Sequence, residues 1–372
     1  MDWKLTSRLR PAESTSVLSS SLNYCRKPTL YNRHMSGRRT PIRRIRCALC
    51  FALSLLPLAP QPTRIGSIRR LDPAVDKVVL PNAAIEKVAE DLQFAEGPVW
   101  MRNGGYLLFS DIPANAIMKW VPSGQLTLFR KPVFARDFTQ GMRIGTNGLT
   151  LDREGRLIAC EPGNRRVSRT EKDGTIVTLA DHYQGKRLNS PNDIICKSNG
   201  DLYFTDPNTV ARRGPPDPHG DFKQDLDFNG VYRITVAGKL DLLTRDMPYP
   251  NGLAFSPDEK KLYVANSRPK FWMVYDVKPD GALANGRKFL DMSNDTGEAV
   301  PDGMKIDRAG NIFATGPGGV LILSPQGKHL GTIELPEIPA NCAWGNGDGK
   351  TLYITARTSL YRVKLTAAGK QP

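Results

Sequence analysis

The chain has 372 residues, 40% of them hydrophobic, with a formal net charge of +15 and a pI of about 9.6. Taken whole, that charge points to a nucleic-acid or membrane partner, but its distribution excludes both for the body of the protein. Residues 1–70 hold 14 Lys and Arg against only Asp2 and Glu13, a net +12, which leaves +3 for residues 71–372.

Residues 1–34 carry no hydrophobic pattern and read as disordered or as lying upstream of a true start at Met35. From Met35 the order is Arg38-Arg39, Arg43-Arg44 and Arg46, an apolar run over 47–59, then Pro60-Gln61-Pro62. This is the order of a secretory signal, so 35–62 predicts a periplasmic or secreted protein, cytoplasmic if the segment is not used. The 13-residue run is too short for the roughly 20 helical residues of a stable membrane span. Cys47 and Cys50 fall inside the apolar run, and Cys25, Cys160, Cys196 and Cys342 show no disulfide spacing, so the thiols read as free.

From about residue 75 to the end, one pattern occurs six times. A short polar anchor, Glu96, Asn147, Asn192, Asn251, Asp302 or Asn341, opens a strand with apolar residues in period two, as in Gly148-Leu149-Thr150-Leu151. A turn follows at Gly104-Gly105, Gly155, Gly200, Pro257-Asp258, Gly310 or Gly349, and then a second apolar strand. Anchor spacings of 51, 45, 59, 51 and 39 residues, with no helical periodicity, predict an all-β fold, a six-bladed β-propeller over 75–372. Asn-Gly and Asp-Gly are also favoured turn pairs, so single anchors such as Asn147 could be local turn formers.

In a propeller the first strand of each blade lines the axis, so the six anchors converge at one end of a central channel. Two carboxylates and several amides, without His or Cys, form a hard-oxygen set suited to Ca²⁺, with Mg²⁺, Mn²⁺ or Zn²⁺ as the alternatives. The second strands return to the same face and end in Asp111, Glu161, Asp206, Asn266, Thr315 and Thr355. This second polar ring places Glu161 and Asp206 among the candidate substrate contacts, and two concentric rings describe a small-molecule pocket.

Phe94-Ala95-Glu96-Gly97-Pro98-Val99-Trp100, Asn147-Gly148-Leu149, Ser190-Pro191-Asn192-Asp193, Pro250-Asn251-Gly252-Leu253 and Pro301-Asp302-Gly303 resemble, in order, the motifs of the senescence marker protein/gluconolactonase/luciferin-regenerating family, in its bacterial gluconolactonase-like branch. The resemblance implies a divalent metal, usually calcium, held by Glu96, Asn251 and Asp302, with Asn192 as a ligand or substrate contact and Asn147 in the substrate pocket. It implies a gluconolactonase-like hydrolase in which the cation polarises a lactone carbonyl and Asp302 acts as base or nucleophile. Ser190 stands where regucalcin-like members carry an arginine, so substrate recognition differs. None of His34, His182, His219 and His329 lies in anchor register, which leaves a histidine-dyad mechanism without support.

The longest spacing contains the Pro/Gly-rich stretch 212–220, a lid or a solvated loop. Arg165-Arg166 could meet an acidic substrate group or form a surface turn. The expected protein is a monomer acting on a small molecule, with a phosphotriester hydrolase or a non-catalytic binding propeller as the alternatives.

Overall fold

The structure is a computed structural model and describes residues 65–210, 220 and 223–370. Residues 1–34 and 35–62, most of the stretch 212–220, His34 and His219 lie outside the described residues. Six antiparallel sheets of four or five strands stand around one axis. Their first strands are Ala95–Met101, Leu149–Leu151, Ile194–Cys196, Pro250–Phe255, Met304–Ile306 and Pro339–Gly345, and each touches the next in a closed circle. The second strands are Tyr106–Asp111, Leu157–Glu161, Leu202–Asp206, Lys261–Asn266, Ile312–Gly316 and Thr351–Ala356. Each anchor therefore opens one blade, and the six-bladed propeller expected from the repeat is the fold.

The sixth blade is built from both ends of the folded chain. Ile85–Ala89 pairs antiparallel with Ser359–Lys364, Ile85 opposite Val363 and Glu86 opposite Arg362, and so supplies that blade's outermost strand. The folded body also starts earlier than residue 75: Ser67–Arg70 adds a fifth strand to the fifth blade, pairing with His329–Glu334. Only Ile68 in that strand is apolar, so no alternation announced it.

The second strand of each blade is buried on both faces, because each blade packs against a neighbour on both sides, whereas outer strands such as Leu126–Arg130 and Leu283–Asp291 are largely exposed. Leu108 and Ile117 of the first blade meet Leu149 and Leu157 of the second, and Ile158 and Val167 meet Phe204 and Tyr232 of the third. The ring continues through Val231 and Leu262, then Trp272 and Leu321, then Phe313 and Trp344, and returns through Tyr353 to Phe109 and Trp120. Cys160, Cys196 and Cys342 are free thiols. Burial pushes the Cys196 thiol up to about 11 and the Cys342 thiol up to about 12, so they serve as core atoms. Among the described residues no helix is long and apolar enough to cross a membrane.

Candidate active site

The anchors' backbones are locked in two directions. Within a blade, the N–H groups of Asn147, Asn192 and Asp302 donate to carbonyls of the second strand, Cys160 at 2.9 Å, Thr205 at 2.8 Å and Thr315 at 3.2 Å. Between blades, the N–H of Gly148 donates to Asn192 at 2.7 Å and that of Gly303 to Ala340 at 2.8 Å. The blades come so close at the axis that a Cβ on Gly303 would stand 2.0 Å from the Asn341 amide carbon. Gly148, Gly252 and Gly303 do not adopt positive φ. They are required by backbone approach and not by a turn, which removes the turn-former reading of Asn147, Asn251 and Asp302.

Five of the six anchors are buried and Asp302 is half-buried. Glu96 accepts from the Gly97 N–H and from Asn341 Nδ2 at 3.1 Å, both on Oε2. The same Asn341 amide nitrogen lies 3.3 Å from Asp193 Oδ2. Burial, and then the Asp302 and Asp193 charges, hold the Glu96 carboxyl well above the usual carboxylate range. Asn251 Nδ2 donates to Ser267 Oγ at 3.0 Å, and that hydroxyl donates to the Pro301 carbonyl at 2.7 Å, tying the fourth anchor to the residue before the fifth. Asn147 Oδ1 is buried without a hydrogen-bond partner.

These facts test whether a divalent cation fits. Three carboxylates and several amide oxygens share a buried end of the channel, and carboxylates crowded in low dielectric resist ionisation unless a cation joins them. Among the described residues no group of three or more His, Cys, Asp or Glu gathers to hold an ion by itself. The donor set that fits is therefore mixed, carboxylate and amide oxygen, the chemistry of a hard cation.

Asp193 was not among the expected site residues. It follows its anchor at a position that is glycine in four other blades, Gly97, Gly148, Gly252 and Gly303, and that departure from the repeat was its signal.

The second polar ring is engaged by the protein's own groups. Asp206 is fully buried and accepts the backbone N–H groups of Asn189 and Ser190, both at 2.8 Å, one on each oxygen. Asp111 does the same for Gln93 and Phe94, and Asn266 accepts from Tyr249. The ring thus holds the irregular segments ahead of the anchors, whose N–H groups have no strand partner. Burial pushes Asp206 up to about 7. Glu161 is saturated by Ser168 at 2.6 Å and Arg130 at 3.3 Å on Oε1, and by Asn164 and Arg166 at 2.7 Å each on Oε2. Glu161 thus carries two donors on each oxygen, and Asp206 one on each.

Arg166 is spent on Glu161, and the buried Arg165 donates to the carbonyls of Leu188 at 2.5 Å and Lys223 at 3.0 Å, so neither forms an exposed anion site. Ser190 donates its hydroxyl to the Pro207 carbonyl and accepts the Thr209 N–H, both at 2.7 Å. It pins the start of the 207–229 insert beside the site. Val210 of that insert packs with Phe134, Met142 and Ile144 of the 131–146 connection, so two long loops meet on the anchor side. His182 pairs with Asp181 at the surface, and His329 lies in the fifth blade's fourth strand.

Deeper in the channel, Val99, Leu149, Ile194, Phe255 and Trp344 line an apolar cavity of about 100 Å³ beside Lys305. Most of its lining lies two to four positions past the anchors, with Glu259 and Lys370 joining it.

The fold is a six-bladed propeller with carboxylates and amides at one end of its axis. The SMP-30/Gluconolactonase/LRE-like region matches residues 94–358, and the chain belongs to that family. It is 38% identical over 327 residues to the gluconolactonase of Zymomonas mobilis, covering 82% of this chain and 88% of the relative. A gluconolactonase structure from Xanthomonas campestris superposes with a TM-score of 0.71 at 30% identity, covering 84% of this chain and 99% of that one. The diisopropyl-fluorophosphatase of Loligo vulgaris is 25% identical over 284 residues, 72% of this chain and 87% of the relative. The protein is a lactonase, a hydrolase of cyclic carboxylic esters.

Proposed function

We propose that the protein hydrolyses a sugar lactone of the aldonolactone class in a calcium-dependent reaction. The observation that carries this reading is the buried carboxyl of Glu96 acted on by the Asp193 and Asp302 charges, with Asn147 Oδ1 buried and unpaired among the described residues, in a chain 38% identical to a gluconolactonase. Glu96, Asn192, Asn251 and Asp302 would hold the cation. A divalent ion bound there supplies Lewis acidity toward the lactone carbonyl.

The chain's own groups account for the rest. Asp302, half-buried at the mouth of the channel, takes a proton from the attacking water as its oxygen bonds to the carbonyl carbon. When the ring C–O bond breaks, Asp302 returns that proton to the leaving alkoxide, giving an open-chain hydroxy acid. Asn147 Oδ1 accepts a sugar hydroxyl, and Asn192 either joins the ligand set or contacts the substrate. The buried Asn251–Ser267–Pro301 chain of hydrogen bonds fixes the distance between the fourth and fifth anchors.

The test is proton release from a panel of aldonolactones and an organophosphate, with the full chain, before and after chelation. Lactone hydrolysis that chelator abolishes and calcium restores is the expected result, with Asp302→Asn lowering kcat by roughly 10²–10⁴-fold. Activity indifferent to chelator, or a fully active Asp302→Asn, overturns the reading. Turnover of the organophosphate alone would transfer it to the phosphotriester class.

A further inference from the structure

Asn341 is the last of the six anchors, and nothing above gives it a role in holding the cation or the substrate. Its amide nevertheless makes the most contacts at the axis. Nδ2 reaches Glu96 Oε2 at 3.1 Å and Asp193 Oδ2 at 3.3 Å, while Oδ1 accepts the Cys342 N–H at 2.8 Å and lies 3.4 Å from the Lys305 ammonium. The chemistry of the four partners settles which way the amide faces. Carboxylates can only accept and an N–H or ammonium can only donate, so the flipped amide would lose every contact.

Asp193 is held in turn by the Ile194 N–H at 2.9 Å on Oδ1, and Lys305 is braced by the Met304 carbonyl at 3.0 Å. The site on the opposing blade is shaped to admit the amide: Gly303, the residue after Asp302, leaves the space that a Cβ would take from it. Both donors to Glu96 converge on Oε2, and Oε1 carries none among the described residues.

We propose that Asn341 and Asp193 are positioning residues that set the orientation of Glu96, with Lys305 fixing the amide from the other side. The carboxylate of Glu96 is clamped through one oxygen so that the other is presented for the cation. Asp193, three blades away in the ring, shares the donor and anchors it from the far side of the channel. This rests on the metal-dependent reading above. Groups that orient a ligand from behind typically contribute 10–100-fold in metal affinity, which gives the proposal a magnitude.

The experiment is calorimetric titration of calcium into chelator-stripped full-length protein, with kcat, KM and the thermal midpoint of the calcium-free form measured alongside. Asn341→Leu removes the donor at nearly constant volume, Asp193→Asn removes the second acceptor, and Glu96→Gln is the control on the ligand itself. The expected result is calcium affinity about 10–100-fold weaker in both positioning variants, KM nearly unchanged, and kcat recovering as calcium is raised. A merely structural role would instead lower the calcium-free midpoint and leave the affinity of the folded fraction intact, and that outcome overturns the proposal. Should Asn341→Leu fail to fold, Asp193→Asn decides by the same criterion. Wild-type affinity in Asn341→Leu or Asp193→Asn, with Glu96→Gln impaired, overturns the clamp and leaves the metal reading standing. Wild-type affinity in Glu96→Gln overturns the metal reading itself.

Discussion

Gly252 lies against the neighbouring blade so closely that a Cβ on it would stand 2.2 Å from the Asp302 carbonyl oxygen. One blade's metal-site anchor, Asn251, is thereby placed by direct contact with the backbone of the next blade's anchor. The Gly252→Ala variant must push the two apart. A loss of about 1–3 kcal/mol in unfolding free energy is expected from such overpacking, with kcat/KM falling further than stability alone explains. Denaturant unfolding and steady-state kinetics on the same preparation check this.

Asn147 presents a buried oxygen without a hydrogen-bond partner among the described residues. If a substrate hydroxyl fills that role, Asn147→Ala loses binding that is made in both ground and transition states. KM should rise roughly tenfold or more with kcat changed less, since a lost hydrogen bond to a buried partner costs about 1–3 kcal/mol. An unchanged KM across the lactone panel would remove Asn147 from the pocket.

The six-fold repeat was legible in the sequence because every blade solves the same problem with the same residue types: an anchor, a strand with apolar side chains on two faces, and a turn. Five of the seven residues to which the sequence assigns site roles, Glu96, Asn147, Asn192, Asn251 and Asp302, occupy the axial end of their blades. Glu161 and Asp206 are held by partners that the repeat does not announce. Strand register tells which end of a blade a carboxylate occupies, but not whether irregular backbone nearby has already claimed its oxygens. Asp193 was overlooked because its position belongs to glycine elsewhere in the repeat. The glycines themselves were ambiguous, since a sequence does not separate a residue needed for positive φ from one needed for close approach. Ser67–Arg70 was missed because its pairing is pure edge addition, with one apolar side chain to mark it.

Asp206 gives the fold a pH dependence of defined sign. Its carboxyl is raised by burial to about 7 in the folded protein, against roughly 3.9 when unfolded. Between those values the folded state binds the proton and the unfolded state does not, so its contribution is full below about pH 4 and lost as pH rises toward 7. The slope is at most about 1.4 kcal/mol per pH unit. Chemical denaturation at pH steps from 4 to 8 should show that decline, and Asp206→Asn should flatten it while lowering stability overall.

The signal-like segment 35–62 predicts processing in the cell. Mass spectrometry of the protein recovered from its native host should show an N-terminus near residues 60–62 and a periplasmic or secreted location. An intact Met1 or Met35 in the mature protein refutes export with cleavage.

The outermost strand of the sixth blade comes from residues 85–89, while its other three come from residues 339–364. The hydrogen bond from Asn341 to Glu96 spans 245 positions across that same seam. The polar end of the axis is therefore closed by contacts between segments far apart in sequence, and the first five blades alone leave Glu96 without its Asn341 donor. The geometry around Glu96 thus depends on closure of the ring, because the 339–364 segment that carries Asn341 also pairs with the strand at residues 85–89.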